Sequence, residues 1–153
     1  MRGQRSISMA RPEQNRRGHG DDLCLRVPSA LSAIEPVCEE IRAVLQERHL
    51  EKLQFSVELV ARECLNNAIR HGNRGRATGW VSFAMRVSRK RICLRIADQG
   101  PGFDWQTRTQ SWPQEAAAGG RGLMIASTIA RRIAFNARGN QVTLWINTAR
   151  EER

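Results

Sequence analysis

The sequence predicts a single domain of the α/β class. Apolar residues recur every three or four positions in some segments and at every second position in others, which indicates helices and strands in one chain. A length of 153 residues suits one domain with one hydrophobic core. Hydrophobic residues at 41% and charged residues at 26% are close to the averages of folded globular proteins. These values exclude a collagen-like chain and a wholly disordered one.

The predicted elements follow the order strand, helix, helix, strand, strand, long loop, helix, strand. The first helix holds Pro36 in its opening turn, where the missing proline N–H has no helical partner to lose, and Gly72 closes the second helix. The 23 residues from 99 to 121 are too many for an idle connection and suggest a lid over a ligand. The predicted boundaries are Leu23–Val27, Ser32–Leu50, Leu53–Arg70, Val81–Val87, Ile92–Ile96, a helix that starts near Gly122 and contains Ile125, Ile129 and Ile133, and Val142–Ile146.

The two ends of the chain differ from the folded part, which we expect to span residues 23–147. Residues 1–22 contain five arginines and few branched apolar side chains, so they are predicted to form a flexible basic tail. Residues 148–153 form a short charged C-terminal tail. No apolar run approaches the roughly 20 residues that a bilayer requires, so we expect a cytoplasmic protein with no membrane contact.

Charge and cysteine content restrict the classes of partner. The net charge is +10, and arginine supplies nearly all of the positive charge. Because the chain has no lysine block and no array of aromatic residues for base stacking, we expect no direct nucleic-acid binding. An acidic protein partner accounts for the excess charge equally well. The four cysteines form no CxxC pair and are predicted to be buried, reduced thiols.

Two polar residues stand at the rim of the second predicted helix. Glu63 and Asn67 are four positions apart, so they differ by only about 40° around the helix axis and both flank its apolar stripe. Asn66 points to the other side. A carboxylate that moves protons and an amide oxygen that binds Mg²⁺ would suit this arrangement. A solvated helix edge is the alternative, since polar rim residues are ordinary in amphipathic helices.

Asp98 follows the apolar strand Ile92–Ile96 with the same parity as its inward-facing residues. Its carboxylate is therefore aimed toward the apolar side, where an unpaired charge would cost several kcal/mol. The sequence Gln99-Gly100-Pro101-Gly102-Phe103 then lets the backbone turn tightly and approach a flat ligand. A purine amino group would satisfy the acid. The alternative is a turn in which Asp98 accepts a hydrogen bond from its own backbone.

A glycine cluster, Gly119-Gly120-Arg121-Gly122-Leu123, precedes the third predicted helix. Bare amide N–H groups and the positive end of the helix would face an anion there, and phosphate is the obvious candidate. Such a cluster is weak evidence by itself. Its value comes from its position after the two polar sites above.

These three segments, in this order, resemble the nucleotide-binding boxes of the GHKL (histidine-kinase-like) ATPase superfamily. The first box has a glutamate at Glu63 and ends in His71-Gly72, which is most similar to the bacterial anti-sigma-factor serine/threonine protein kinases. The matching segments are ExxxNAIRHG (Glu63–Gly72), DQGPGF (Asp98–Phe103) and GGRGL (Gly119–Leu123).

The resemblance implies a role for each motif residue. Glu63 would be the catalytic general base, and Asn67 would be the Mg²⁺ ligand. Asp98 would hold adenine, while Gly100 and Gly102 would let the turn pass under the base. The implied phosphate-binding residues, all at the start of the third helix, are Gly120, Arg121, Gly122 and Leu123.

The resemblance covers roughly residues 23–146 and also implies a fold. That fold is a two-layer α/β sandwich of the Bergerat ATP-binding type, in which a mixed, mostly antiparallel sheet packs against three main helices. One departure is Asn140, which follows Gly139 at a place where many relatives carry threonine.

The implied function is an ATP- and Mg²⁺-dependent serine/threonine protein kinase. It would phosphorylate a STAS-domain anti-anti-sigma partner and, in a separate complex, sequester a sigma factor, so that transcription is regulated by partner switching. Analogy with the family also suggests a homodimer, for which Trp80 and Phe83 would supply an exposed patch. The alternative is a nucleotide-dependent binding module that holds a regulatory partner with little catalytic turnover.

Overall fold

A computed structural model describes residues 20–76, 78–103 and 121–149 and shows helices packed on one face of a five-stranded sheet. Short 3₁₀ turns at Leu31–Ala33 and Glu51–Leu53 precede the first two helices, and a π turn at Ala68–Gly72 follows the second. The elements are β1 (Leu23–Pro28), α1 (Ile34–Glu47), α2 (Gln54–Asn67), β2 (Trp80–Val87), β3 (Arg91–Ala97), α3 (Arg121–Ile129), β4 (Arg132–Phe135) and β5 (Gln141–Asn147).

The sheet has the strand order β1-β2-β3-β5-β4. The predicted α/β sandwich with three main helices is confirmed. The expectation of a mixed sheet is wrong for the described strands, because all four neighbouring pairs are antiparallel. Short turns join β2 to β3 and β4 to β5, and a short turn can only reverse the direction of the chain.

One hydrophobic core lies between the inner face of the sheet and the helices. The alternation predicted for the strands is observed, since one side chain in two is buried along β1, β3 and β5. α1 and α2 contribute their apolar stripes to the same core, as the helical periodicity predicted. Its largest fully buried side chains include Ile41, Leu45, Leu65, Phe83, Met85, Ile92, Leu94, Ile96 and Leu144.

The segment after α3 corrects one expectation. The spacing of Ile125, Ile129 and Ile133 predicted a helix through all three residues, but α3 ends at Ile129. Ile133 belongs to β4, where it lies opposite Leu144 of β5. Because Ile133 and Phe135 also alternate, the sequence of this segment fits a strand as well, and pairing with β5 selects that conformation.

The observed burial of side chains contradicts two further expectations. Phe83 was predicted to share an exposed patch with Trp80, yet its side chain is fully buried in the core, whereas Trp80 is 36% exposed. All four cysteines are free thiols, but only Cys38 and Cys64 are buried, and Cys24 is exposed. Desolvation raises the pKa of Cys38 to about 11 and that of Cys64 to about 12, so these two thiols stay protonated.

A left-handed residue separates α1 from α2. α1 ends at Glu47, His49 takes the left-handed conformation at φ 56°, and the N–H of Leu50 donates to the carbonyl of Leu45 at 2.8 Å. Among the described helices, none has the length and the apolar character that crossing a membrane demands.

Candidate functional site

The site begins where α2 ends. Beyond Asn67 the backbone widens into the π turn Ala68–Gly72, in which the N–H of Asn73 donates to the carbonyl of Ala68 at 2.8 Å. Such single π turns occur mainly at functional positions in helices. Here the turn carries Gly72 against the end of β3, so that the first and second motifs meet in space.

Close packing of backbone at Gly72 and Gly100 holds the two motifs together. A Cβ atom at Gly100 would overlap the carbonyl oxygen of Gly72, and a Cβ atom at Gly72 would lie only 2.7 Å from Oδ1 of Asp98. Gly102 has a φ of 79°, and a Cβ atom there would overlap the backbone carbonyl of Arg138. The glycines of the second motif are therefore required by close approach of the backbone, and Gly102 also by its conformation.

Asp98 is half-buried at the centre of this glycine packing. Its Oδ1 accepts a hydrogen bond from the N–H of Gly100 at 2.7 Å, so the turn that we considered as an alternative does form. Burial raises the pKa of Asp98 above its ordinary value, and the Gly100 N–H partly offsets that effect. In the described part of the chain no arginine, lysine or histidine forms an ion pair with this carboxylate.

Asn73 connects the ends of three strands and was missed by the sequence interpretation. Its side chain is only 4% exposed. Oδ1 accepts from the N–H of Gln99 at 2.8 Å, while Nδ2 donates to the carbonyl of Trp80 at 2.9 Å and to Oγ of Ser29 at 3.2 Å. Since Gln99 follows Asp98 directly, Asn73 fixes the loop that carries the carboxylate. The signal available in the sequence was an asparagine directly after a helix-ending glycine.

The turn between β4 and β5 supports the same loop from the other side. The backbone N–H of Asp98 donates to the carbonyl of Asn140 at 2.9 Å. Nδ2 of Asn140 lies 3.4 Å from the carbonyl of Gly100. Asn136 shapes this turn, since its Oδ1 accepts from the N–H of Gly139 at 2.8 Å and from that of Asn140 at 3.0 Å. The departure at Asn140 thus contributes to holding the Asp98 loop.

Glu63 and Asn67 lie on α2, on the approach to the π turn. Both side chains are partly exposed, and neither has a hydrogen bond or an ion pair to the residues that the structure describes. The charge of Glu63 contributes to the raised pKa of the buried Cys64 thiol. At about 1.5 Å per residue, Asn67 and Glu63 precede Gly72 by roughly 7 and 13 Å along the chain axis. Both residues therefore lie within about three helical turns of the Gly72–Gly100 contact.

The third motif starts a helix, as predicted. α3 begins at Arg121 and packs against α2, so its N-terminal amides belong to the same side of the sheet. Arg121, Gly122 and Leu123 form its first turn, and their backbone is all that is described there. Gly120 and the lid residues from 104 onward, including Trp105 and Trp112, lie outside the described residues.

Taken together, a half-buried carboxylate among close-packed glycines and a neighbouring helix with a polar acid and amide are features typical of a nucleotide-binding domain. The chain belongs to the family of histidine kinase-like ATPase domains, whose family profile matches residues 27–146. Binding of ATP, typically with Mg²⁺, is a property of this family.

Comparison with individual proteins gives two further findings. The chain is 29% identical over 114 residues to the serine/threonine-protein kinase BtrW of Bordetella bronchiseptica (strain ATCC BAA-588 / NCTC 13252 / RB50), a match that covers 70% of this chain and 80% of BtrW. Among solved structures it is similar to the histidine kinase domain of the blue-light activated histidine kinase EL346 of Erythrobacter litoralis. That match has 18% identity and a TM-score of 0.49, and it covers 82% of this chain and 66% of the other.

Proposed function

We propose that this protein is an ATP- and Mg²⁺-dependent serine/threonine protein kinase. The observation that carries the proposal is the half-buried carboxylate of Asp98, which lies among close-packed glycines without a cationic partner in the described residues. The exocyclic amino group of adenine is a planar hydrogen-bond donor, and such a carboxylate could accept a hydrogen bond from it. The relative BtrW, which is named a serine/threonine-protein kinase, supports the choice of reaction.

The residues of α2 then take the two remaining roles. Asn67 offers an amide oxygen, the kind of ligand that Mg²⁺ accepts together with phosphate oxygens. The described residues contain no group of three or more His, Cys, Asp or Glu that could hold a metal by themselves, which agrees with an ion carried mainly by the nucleotide. When bound, Mg²⁺ neutralises charge on the phosphates.

Glu63 is suited to be the general base. Its carboxylate would accept the proton of the attacking serine or threonine hydroxyl as the hydroxyl oxygen bonds to the γ-phosphorus and the bond to the β-phosphate oxygen breaks, which leaves ADP. The amides at the start of α3, around Gly120, Arg121, Gly122 and Leu123, would hold the phosphates in line. Most of the catalysis would come from positioning.

The protein substrate that we propose is a STAS-domain anti-anti-sigma protein, and the second partner is a sigma factor. Both would bind the same cytoplasmic kinase, alone or as a homodimer, in complexes that exclude one another. Phosphorylation of the STAS partner would then release it and leave the kinase to sequester the sigma factor, which makes the protein an anti-sigma factor that regulates transcription.

Calorimetry with Mg-ADP and transfer of labelled phosphate from ATP to a cognate STAS-domain protein test the proposal. We expect wild-type protein to bind Mg-ADP and to transfer phosphate. Glu63→Ala should keep nucleotide binding and lose transfer by about a hundredfold or more, whereas Asn67→Ala should weaken both. Asn66→Ala, on the other side of α2, is the matched control and should change neither.

Three outcomes contradict the proposal in different ways. Absence of Mg-ADP binding would remove the nucleotide site. Binding without transfer to the STAS protein would instead favour a nucleotide-dependent binding module that titrates its partner. Transfer that persists at the wild-type rate in Glu63→Ala would take the role of general base away from that residue.

A further inference from the structure

Charge is divided between the two layers of the fold. The five strands contain five arginines and no aspartate or glutamate. In contrast, α1 contains four glutamates and one arginine, and α2 contains two glutamates and one arginine. The sheet therefore concentrates positive charge, while the two long helices carry an excess of negative charge.

All five strand arginines lie on the outer face of the sheet, which is the face turned away from the helices. Strand alternation places them opposite the buried core residues, and each is exposed. From standard strand spacings, the Cα of Arg95 lies about 8 Å from that of Arg86 and about 14 Å from that of Arg91. The outer face is defined by Arg26, Arg86, Arg91, Arg95 and Arg132 together with the outward-facing residues between them, which include Trp80 and Trp145.

Among the described carboxylates, Asp21 forms ion pairs with two of these arginines. Asp21 lies 3.2 Å from Nη2 of Arg95 and 3.6 Å from Nε of Arg86, so one carboxylate serves two guanidinium groups. At the β2–β3 turn the sequence Arg89-Lys90-Arg91 borders an open depression of about 610 Å³, which Ser88 and Asn147 complete. The positive surface therefore continues to the end of the sheet that is remote from Asp98.

Two of the arginines are held flat by tryptophan rings. The guanidinium of Arg26 lies 3.5 Å from the centre of the Trp80 ring, and that of Arg132 lies 4.9 Å from the centre of the Trp145 ring. Cation–π contacts of this kind restrict the arginines while their N–H donors stay available at the edges. The two guanidinium groups also occupy one face of each ring, which a nucleotide base would otherwise use for stacking.

The positive charge of this face favours one class of binding partner over the others. Two copies that met through their outer faces would bring five arginines against five, and like charges in a desolvated interface are repelled. A nucleic acid would supply phosphates, but Arg26 and Arg132 already occupy one face of the Trp80 and Trp145 rings. Carboxylates of a protein partner match guanidinium groups in fork geometry and need no aromatic platform.

We propose that the outer face of the sheet is a docking surface for a separate protein that presents an acidic surface of aspartate and glutamate side chains. The surface lies on the opposite side of the sheet from the helices and from the proposed nucleotide site at Asp98. Docking there would leave the nucleotide site accessible, so the proposal does not depend on kinase activity.

Fluorescence anisotropy with a labelled poly-glutamate peptide tests the proposal on the full chain. Arg91→Glu and Arg132→Glu should each weaken binding about fivefold or more, since each replaces an attraction by a repulsion. Lys52→Glu, next to α2, changes the net charge by the same amount and should weaken binding less than about twofold. Arg91→Gln, which only removes charge, should fall between wild type and Arg91→Glu. Mg-ADP binding should be the same in all four variants.

Each other result overturns the assignment. Equal weakening by Lys52→Glu and the strand variants would mean unspecific attraction to net charge. A single-stranded RNA that binds more tightly than the peptide, and loses affinity in Arg91→Glu and Arg132→Glu, would make the face a nucleic-acid surface. Sedimentation that shows a dimer of wild-type protein and a monomer of Arg132→Glu would assign the face to a second copy of the chain.

Discussion

Two acidic side chains at the boundary of the core have opposite surroundings. Glu58 of α2 is held by Arg42, whose Nε and Nη2 lie 2.6 and 3.0 Å from its two carboxylate oxygens. Arg42 also donates to Glu35 at 3.0 Å, and Arg62 pairs with both glutamates. Asp98, in contrast, is half-buried and receives only backbone N–H donors among the described residues.

The contrast separates a stabilising carboxylate from one that is available to a ligand. The cluster of Glu35, Arg42, Glu58 and Arg62 ties α1 to α2, and its carboxylates are already satisfied. Asp98 carries a desolvation penalty that no cation among the described side chains offsets. A group kept in this state contributes little to stability, which is typical of a residue whose partner is a ligand. The following predictions alter one side of this contrast at a time.

The largest effect is expected from Gly100→Ala. Its Cβ atom would overlap the carbonyl of Gly72, and backbone cannot give way as a flexible side chain can. The loop must move, so the affinity for Mg-ADP should fall about a hundredfold in calorimetry. Gly20→Ala is the control, because nothing lies within 4 Å of its added Cβ atom. Unchanged affinity of Gly100→Ala for Mg-ADP would show that the packing of this loop does not shape the nucleotide site.

Asn73→Ala should lower stability and should also weaken binding. It leaves the N–H of Gln99 and the carbonyl of Trp80 without their side-chain partner, so the free energy of unfolding in urea should fall by about 2–3 kcal/mol. Affinity for Mg-ADP should fall about tenfold as the Asp98 loop loosens. Asn73→Asp keeps the acceptor but not the donor and should rescue neither property fully. Asn147→Ala, at the end of the sheet remote from Asp98, is the control and should behave as wild type.

Glu58→Gln and Asp98→Asn should separate stability from binding. Glu58→Gln removes the carboxylate that accepts from both Nε and Nη2 of Arg42 and leaves Arg42 paired, among the described residues, with Glu35 alone, so the midpoint of thermal unfolding should fall by about 5 °C while Mg-ADP still binds. Asp98→Asn removes a desolvated charge, so stability should be retained, whereas nucleotide affinity should fall about a hundredfold. The same response of both properties in the two variants would contradict the contrast between these carboxylates.

The smallest effect concerns pH, and the two regions should respond with opposite signs. Burial raises the pKa of Asp98, so the folded state holds this proton more firmly than the unfolded chain does. Its contribution to the free energy of unfolding therefore falls as the pH rises from the unfolded value through the raised folded pKa. Hydrogen bonds from Arg62 and Arg42 lower the pKa of Glu35, so its contribution is present above the unfolded pKa and is lost as the pH falls through the lowered value.

Urea titrations in acidic buffers, compared with Asp98→Asn and Glu35→Gln, measure these contributions. As the pH rises, the free energy of unfolding of the wild type should fall relative to that of Asp98→Asn. Over the same range it should rise relative to that of Glu35→Gln. If the free energies of unfolding of the wild type and Asp98→Asn differed by the same amount at every pH, the carboxyl of Asp98 would not be desolvated.

Local patterns predicted most of the fold and the motif that contains Asp98. Alternation along β1, β3 and β5 and the helical periods of α1 and α2 reflect burial on one face, which is a property of neighbouring residues. The end of α3 and the strand β4 were mispredicted, because Ile133 fits both periods and only its pairing with Leu144 decides between them. Phe83 was misjudged because α1 and α2 cover the face on which it lies.

The site shows the same division. The turn formed by Asp98, Gly100 and Gly102 was anticipated because these residues are adjacent in sequence, whereas their role in binding adenine stays a prediction. Asn73 was missed, since its importance comes from Ser29, Trp80 and Gln99, which lie far apart along the chain. The five outer-face arginines looked like a dispersed charge excess until strand order placed them on one surface.

The amino-acid sequence by itself determined the class of the fold, the inward residues of most strands and the chemical types of the motif side chains, because each depends on spacing within a few residues. Tertiary structure alone decided that Gly72 meets Gly100, that Asp98 has no cationic partner among the described residues, and that the strand arginines share one face. Those facts arise from contacts between distant segments, and burial and charge act through space rather than along the chain.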